Sequence, residues 1–204
     1  MIAPCTLWLI RHGETDWNVA GRLQGQLEVP LNEKGRGQAQ QVAARLGGEA
    51  KFAAIFTSDL GRARETAVAV SRVLGLPSTV REDLRERHFG LLSELTLEEI
   101  AARHPELSAR LRARDPDFVP EGGESLWQTY ERSCRALSEI AREWPGAQVI
   151  VVTHGGVIDA AWRAAMGLPL QVRRELELPN ASVNRVKVSE GRFELVSFGD
   201  VAHL

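Results

Sequence analysis

Three features of this 204-residue chain predict an α/β fold, a three-layer α/β/α sandwich around a mostly parallel sheet. Apolar runs alternate with amphipathic segments across residues 6–81, giving the β-α-β-α-β rhythm of parallel strands with helices on both faces. Val149, Ile150, Val151 and Val152 form an uninterrupted run, as expected of a strand covered on both sides. The C-terminal stretches "SVNRVKV" and "FELVSF" alternate around Glu190-Gly191, the pattern of a hairpin that adds an antiparallel edge.

Residues 6–10 read as the first buried strand, and a long polar, Gly-rich loop runs from 11 to 31. Asn32 is placed to cap a helix whose buried face carries Gln38, Val42, Ala43 and Leu46 until Gly47-Gly48 ends it. The second strand is expected at residues 52–56. Thr57, Ser58 and Asp59 then offer caps for a helix marked by Ala63, Ala67, Val70 and Leu74, stopped by Gly75 and Pro77. Residues 78–81 suit a short strand.

Beyond Leu84 the rhythm breaks into short helical pieces, one opening with the capping-box spacing Thr96 to Glu99. We expect a small helical lid inserted at about residues 91–124 of a single domain spanning 1–204. A long helix over residues 125–144 follows, with Leu126, Tyr130, Cys134, Leu137 and Ala141 on one face. The strand at 149–152 then leads through Thr153-His154-Gly155-Gly156 into another helix.

A formal net charge of −2 with 44% hydrophobic residues gives no global basis for binding nucleic acid or an anionic membrane surface. Any cationic site is therefore local. Cys5 and Cys134 are too few for a disulfide framework or a cysteine-based zinc site and read as buried or half-buried thiols. Residues 1–10 lack the basic start and long apolar core of a leader, and no run reaches the length of a membrane span. A cytoplasmic protein is expected.

The first strand and the strand at 149–152 share a design: each ends in a histidine followed by glycine and opens into a loop and helix. If the two strands are neighbours, His12 and His154 meet at the carboxyl edge of the sheet, where ligands bind in open α/β folds. Arg11 lies beside His12, and Arg62 falls in the first turns of the helix after the second strand, close to the same edge. Such a cluster, with free backbone N–H groups around glycines, suits the oxygens of a phosphomonoester.

A histidine with one unprotonated ring nitrogen can attack phosphorus, and surrounding cations would stabilise the equatorial oxygens. The leaving alkoxide needs a proton from a carboxylic acid, and burial beside a phosphate dianion raises a carboxyl pKa in that direction. Glu86 in "LRERHFG" is the candidate. Glu14, Asp16 and Asp59 are rivals better assigned as caps or arginine partners.

The segments "LIRHGETDWN", "LQGQLEVPLNEKGRGQA", "TSDLGRARETA", "LRERHFG", "GGES" and "VVTHGG" resemble the histidine phosphatase superfamily, whose members share the phosphoglycerate-mutase-like fold. The resemblance runs from residue 6 to about residue 160, and "SVNRV" and "GDVAHL" are similar to its phosphatase branch. It implies His12 as a nucleophile forming phosphohistidine. Arg11, Arg62 and His154 complete the phosphate pocket, Asn18 and Gln24 add phosphate contacts, and Thr15, Gly25 and Gly155 join the substrate-binding set. Glu86 is implied as proton donor and then as base for water.

The expected activity is thus that of a histidine acid phosphatase-like phosphoric monoester hydrolase, acting without metal or organic cofactor on a small phosphorylated metabolite. A homodimer is compatible with this, and neither nucleic acid nor membrane is an expected partner. The alternatives are a cofactor-dependent phosphoglycerate mutase and a non-catalytic module that binds phosphorylated ligands. The short segment after Glu86 favours the phosphatase, although Glu86 to Gly90 looks partly mutase-like and Leu92-Ser93-Glu94 departs from the phosphatase pattern.

Substrate choice is assigned to the lid, with Leu107, Leu111, Phe118 and Val119 as apolar candidates and Arg85, Arg87 and Arg110 as charged ones. Arg87 reads as a solvated arginine, and "RLRARD" at 110–115 as the lid's solvated face. His88, His104 and His203 read as surface or fold contacts. Trp8, Trp127, Trp144 and Trp162 are expected in packing, and Trp17 near the site.

Overall fold

Strand β1 (Cys5–Arg11) carries two apolar sets that its alternation sends to opposite faces. Leu7 and Leu9 enter one core cluster with Val149 and Val151, whereas Trp8 and Ile10 enter another with Ile150 and Val152. The computed structural model describes residues 3–204, so the first two residues, and with them the start of the domain expected at 1–204, lie outside it.

The remaining elements are α1 (Asp16–Val19), α2 (Glu33–Gly47), β2 (Ala54–Ser58), α3 (Gly61–Leu74), β3 (Ser78–Arg81), α4 (Leu97–Arg103), α5 (Pro105–Arg112), α6 (Leu126–Glu143), β4 (Gln148–Thr153), α7 (Gly155–Met166), β5 (Val183–Ser189) and β6 (Arg192–Asp200). The sheet order is β3-β2-β4-β1-β5-β6. The first four strands in that order run parallel, and β5 and β6 add the antiparallel side.

Helices α2 and α3 bury Val42, Ala43, Leu46, Ala63, Ala67 and Val70 on one face of the sheet. Helices α6 and α7 bury Leu137, Ile140, Val157 and Ile158 on the other. This is the expected three-layer sandwich, and each fully buried Leu or Ile side chain contributes about 1.5–3 kcal/mol of transfer free energy. Among the described residues no helix is long and apolar enough to cross a membrane.

Local capping follows the sequence closely. Asn32 Oδ1 accepts from Gly35 N at 2.8 Å to start α2. Thr96 with Glu99, and Ser125 with Gln128, form capping boxes at α4 and α6. The Glu190-Gly191 turn places both residues at positive φ, as a tight hairpin of right-handed strands demands.

Several expectations shift. Strand β2 begins two residues later than expected, at Ala54, and continues to Ser58, because its pairing with β4 starts at Ala54 opposite Val149. The N-cap of α3 is consequently Leu60, without a side-chain cap, and Asp59 instead accepts from Arg85 Nε at 2.8 Å. The loop at 11–31 contains the short helix α1, capped by Thr15. Trp127 is exposed and stacks on Tyr130 rather than packing inside.

Residues 90–124 form a separate small cluster around Leu92, Ile100 and Phe118, with Leu107 and Leu111 against it. Val119 is exposed. An isolated bridge between Arg22 and Thr96, with a two-pronged Arg22–Glu99 ion pair at 2.8 and 3.1 Å, fastens this segment to the loop after β1.

Candidate active site

The register of β1 and β4 sets Arg11 opposite Thr153, so both strands release the chain at the same level of the sheet. His12 and His154 follow immediately, and their rings lie 5.1 Å apart between centroids, tilted by 58°. His12 N donates to Thr153 O at 3.0 Å, and Thr153 Oγ1 donates to Leu84 O at 2.8 Å. The two strand ends and the segment leading to Glu86 are thereby tied together.

His12 Nδ1 lies 2.7 Å from Gly13 O. A carbonyl only accepts, so Nδ1 carries the proton and Nε2 keeps its lone pair. His154 differs: both its ring nitrogens are buried without a hydrogen-bond partner among the described residues. Burial, then the charges of Arg62 and other nearby cationic groups, holds both imidazoles well below the usual histidine value.

Arg62 is 1% exposed and donates to Leu27 O at 2.8 Å and Gly25 O at 2.7 Å, leaving its buried Nε unpartnered. Burial lowers its pKa to about 10, opposed by Glu86 and Glu28. Arg11 donates to Leu178 O, and its Nε is likewise buried and unpartnered. Burial is also the largest influence on Arg11, with Glu86 acting against it. Among the described residues neither guanidinium pairs with a carboxylate, so each keeps donors for an anion.

Glu86 sits on the neighbouring side. Its Oε1 accepts from Arg87 N at 2.7 Å, and its two oxygens accept from Gly156 N at 3.1 and 3.0 Å. A Cβ added at Gly156 would stand 2.1 Å from Glu86 Oε1, so a side chain there would push the carboxylate away from the start of α7. Arg132 from α6 donates to the carbonyls of Asp83, Arg85 and Glu86 at 2.9, 2.9 and 3.3 Å and pairs with Glu124 at 2.9 Å. The Glu86 backbone is thus clamped from below.

The loop after β1 is shaped with equal economy of donors. Asn18 Oδ1 accepts from Thr15 N, Thr15 Oγ1 and Asn180 Nδ2 at 3.1, 3.0 and 3.2 Å, which turns the Asn18 amide NH2 away from these donors. Gln24 is buried, and its Oε1 has no partner among the described residues. Gly25, at φ +52°, presents its carbonyl to Arg62. Gly155 opens α7 between Glu86 and Arg11, where a Cβ would lie 3.6 Å from Glu86 Oε2 and 3.9 Å from Arg11 Nε.

Sequence reasoning missed three contributors. Asn180 Nδ2 also reaches His12 O at 3.1 Å and Gly13 O at 3.3 Å, Arg132 holds Glu86, and Gly156 meets its carboxylate. The Pro179-Asn180 dipeptide marks a turn, yet nothing local connects that turn to a histidine 168 positions earlier. Of the rivals, Glu14 pairs with Lys34 at 2.8 Å and Asp59 with Arg85, while Asp16 lies exposed in the first turn of α1.

Glu86, Gly155 and Gly156 form one wall of a cleft of about 350 Å³ that opens toward the helical segment. Arg87 also lines it, but contrary to expectation it is buried, 4% exposed, donating to Glu124 O at 2.9 Å and Phe118 O at 3.2 Å. Both carbonyls belong to the C-terminal end of the inserted segment, so Arg87 ties that end to the stretch after Glu86 rather than facing solvent. "RLRARD" also divides: Arg110 pairs at the surface with Asp115, whereas Arg114 turns into the cleft.

A parallel-sheet edge bearing two buried histidines, two arginines with free donors and an adjoining carboxylate has the donors and the proton-carrying group that phosphate chemistry requires. The model of the histidine phosphatase superfamily (branch 1) matches residues 7–201, and the chain belongs to that family. It is 42% identical to a metal-independent phosphoserine phosphatase of Arabidopsis thaliana, over 96% of this chain and 82% of that protein. A phosphoglycerate mutase-like protein 4 of the same plant is 40% identical, over 96% of this chain and 85% of its own length. The solved structure of a mycobacterial glucosyl-3-phosphoglycerate phosphatase superposes with a TM-score of 0.84 at 35% identity, covering 96% of this chain and 99% of that one.

Proposed function

We infer that this protein is a metal-independent phosphomonoesterase that hydrolyses a small phosphorylated metabolite through a phosphohistidine. The observation that carries the reading is the contrast within one buried cluster. His12 has Nδ1 fixed by Gly13 O and a lone pair at Nε2, while the unpartnered nitrogens of Arg11, Arg62 and His154 surround it. Two arginines beside both imidazoles repel a cation and attract a phosphate.

In this reading His12 Nε2 attacks phosphorus, forming a P–N bond as the P–O bond to the alcohol breaks. Glu86 acts as the acid that delivers a proton to the departing alkoxide. Water then attacks the phosphohistidine, Glu86 takes a proton from it, and the P–N bond breaks to release phosphate and restore His12. Arg11, Arg62 and His154 stabilise the charge on the equatorial oxygens in both steps. Asn18, Gln24, Thr15, Gly25 and Gly155 shape and extend the same pocket.

Two of the three relatives carry phosphatase names, which supports hydrolysis over mutase chemistry. The test is phosphate release in EDTA from a panel of phosphomonoesters, with wild type and His12→Ala side by side. Release by wild type alone supports the reading. Interconversion of 2- and 3-phosphoglycerate faster than hydrolysis would replace it with the mutase, and tight binding without turnover would replace it with a recognition module.

A further inference from the structure

The carbonyl that fixes His12 belongs to a residue with no means of fixing itself. His12 Nδ1 bonds to Gly13 O, and a Cβ added at Gly13 would stand 2.3 Å from Gly35 O at the start of α2, so the packing excludes a side chain there. Glycine has the widest backbone freedom of any residue. What holds the Gly13 carbonyl therefore comes from elsewhere in the fold.

The two peptide units that flank Gly13 are each tied at both ends. In the first, His12 O accepts from Ala181 N at 3.2 Å and Asn180 Nδ2 at 3.1 Å, while Gly13 N donates to Thr66 Oγ1 at 3.1 Å. In the second, Gly13 O accepts from Asn180 Nδ2 at 3.3 Å beside the His12 ring, while Glu14 N donates to Gln38 Oε1 at 2.9 Å. One amide group, Asn180 Nδ2, thus serves both carbonyls, and it also lies 3.2 Å from Asn18 Oδ1.

The turn that presents Asn180 is formed at an energetic cost. Ala181 adopts φ +56°, a left-handed conformation unfavourable for a residue with a side chain, and with that bend Ala181 N and the Asn180 amide face His12 O together. Bonds from both sides maintain the bend. Arg11 Nη1 donates to Leu178 O and Arg11 N to Ser182 O at 3.2 Å, and on the other side His203 Nε2 lies 3.0 Å from Ala181 O. His203 is in turn held by Arg45 of α2, whose Nη1 is 3.2 Å from its Nδ1.

We propose that Asn180 is a positioning residue for the nucleophile: it fixes the Gly13 carbonyl and, through it, the ring tautomer that leaves the lone pair on His12 Nε2. By donating to Asn18 Oδ1 it also keeps the Asn18 NH2 free for a phosphate oxygen. This rests on the phosphomonoesterase reading and deepens it, because the reactivity of His12 is assigned to a side chain 168 positions away that acts through the backbone.

The test applies two measurements to wild type, Asn180→Ala and Asn180→Ser, the serine variant carrying the comparison if thermal melting shows that the alanine variant does not fold. The first is long-range proton–nitrogen correlation NMR of ligand-free protein labelled at its histidine nitrogens, with His12 assigned by its loss in His12→Ala. Wild type should show His12 protonated at Nδ1, and the variants should show it exchanging between both tautomers. The second is the pre-steady-state burst of p-nitrophenol from p-nitrophenyl phosphate in EDTA, which reads attack by His12 without a proton from Glu86. The burst should slow by about tenfold to a hundredfold in the variants, the scale of a slightly misplaced reacting group. An unchanged burst rate overturns the assignment. A slower burst with His12 still protonated at Nδ1 also overturns it, since Asn180 would then be structural only. Wild type that holds His12 in the Nδ1 tautomer yet releases phosphate from no phosphomonoester overturns the hydrolase reading and this one with it.

Discussion

The ends of β1 and β4 are near copies in sequence, each a histidine followed by glycine, and they lie side by side in parallel register. Their histidines are nevertheless in different states. His12 has Nδ1 committed to the next carbonyl and so keeps one reactive nitrogen, whereas His154, the N-cap of α7, has both nitrogens uncommitted. A nucleophile needs a fixed ring and a fixed tautomer; a donor to a bound oxyanion needs freedom to match it. In the proposed mechanism, a single backbone hydrogen bond is what separates the roles of these two similar motifs.

That asymmetry gives graded predictions. His12→Ala should cost about 10⁴-fold or more in kcat, the scale of losing a covalent nucleophile. His154→Ala should cost about 10²–10³-fold, as for one oxyanion donor, and should still form a phosphoenzyme detectable by rapid quench. Equal losses in the two variants would break the distinction. Glu86→Gln should lower kcat by about 10²-fold for alkyl phosphates but far less for p-nitrophenyl phosphate, whose leaving group needs no proton.

Smaller effects should follow from the support of the site and from pH. Gly156→Ala places a methyl group against Glu86 Oε1 and should lower kcat/KM for alkyl phosphates by about tenfold, with phosphoenzyme formation from p-nitrophenyl phosphate less affected. Both active-site histidines have folded pKa values below the ordinary 6.5, so the unfolded chain takes up protons the folded chain refuses. Stability is then intact above pH 6.5 and falls below it, by up to about 1.4 kcal/mol per pH unit for each histidine. His203, lowered chiefly by burial, adds in the same direction. The depressed carboxylates, such as Asp200 at about 2 and Glu14, lose their contribution only below their unfolded values of 3.8 for Asp and 4.5 for Glu. Urea titrations between about pH 7.5 and pH 5.5 read the histidine part in isolation, and His154→Ala should flatten the slope.

Much of this was legible in the sequence because the informative residues sit at element boundaries. Strand runs ending in Arg11-His12-Gly13 and Thr153-His154-Gly155 announce a sheet edge, while the pairing that makes the two strands neighbours, left conditional in the sequence, comes from the sheet order. Glu86 was identifiable from its place just after β3. The inserted segment was not legible. Arg87 and Arg114 stand in charged runs without helical periodicity, so nothing in "LRERHFG" or "RLRARD" separates the arginine that turns inward from its solvated neighbours. Their direction is set by distant carbonyls, Phe118 O and Glu124 O for Arg87 and Leu170 O for Arg114. The same holds for Asn180 and Arg132, whose partners are backbone atoms far along the chain.

The central claim is that His12, and not its twin His154, receives the phosphoryl group. Mass spectrometry of the enzyme quenched during turnover in EDTA, with peptide mapping under conditions that preserve phosphohistidine, addresses it directly. The account predicts a phosphoryl group on His12, present in wild type and His154→Ala and absent in His12→Ala. A phosphoryl group on His154, or continued phosphate release by His12→Ala at the wild-type rate, would contradict it.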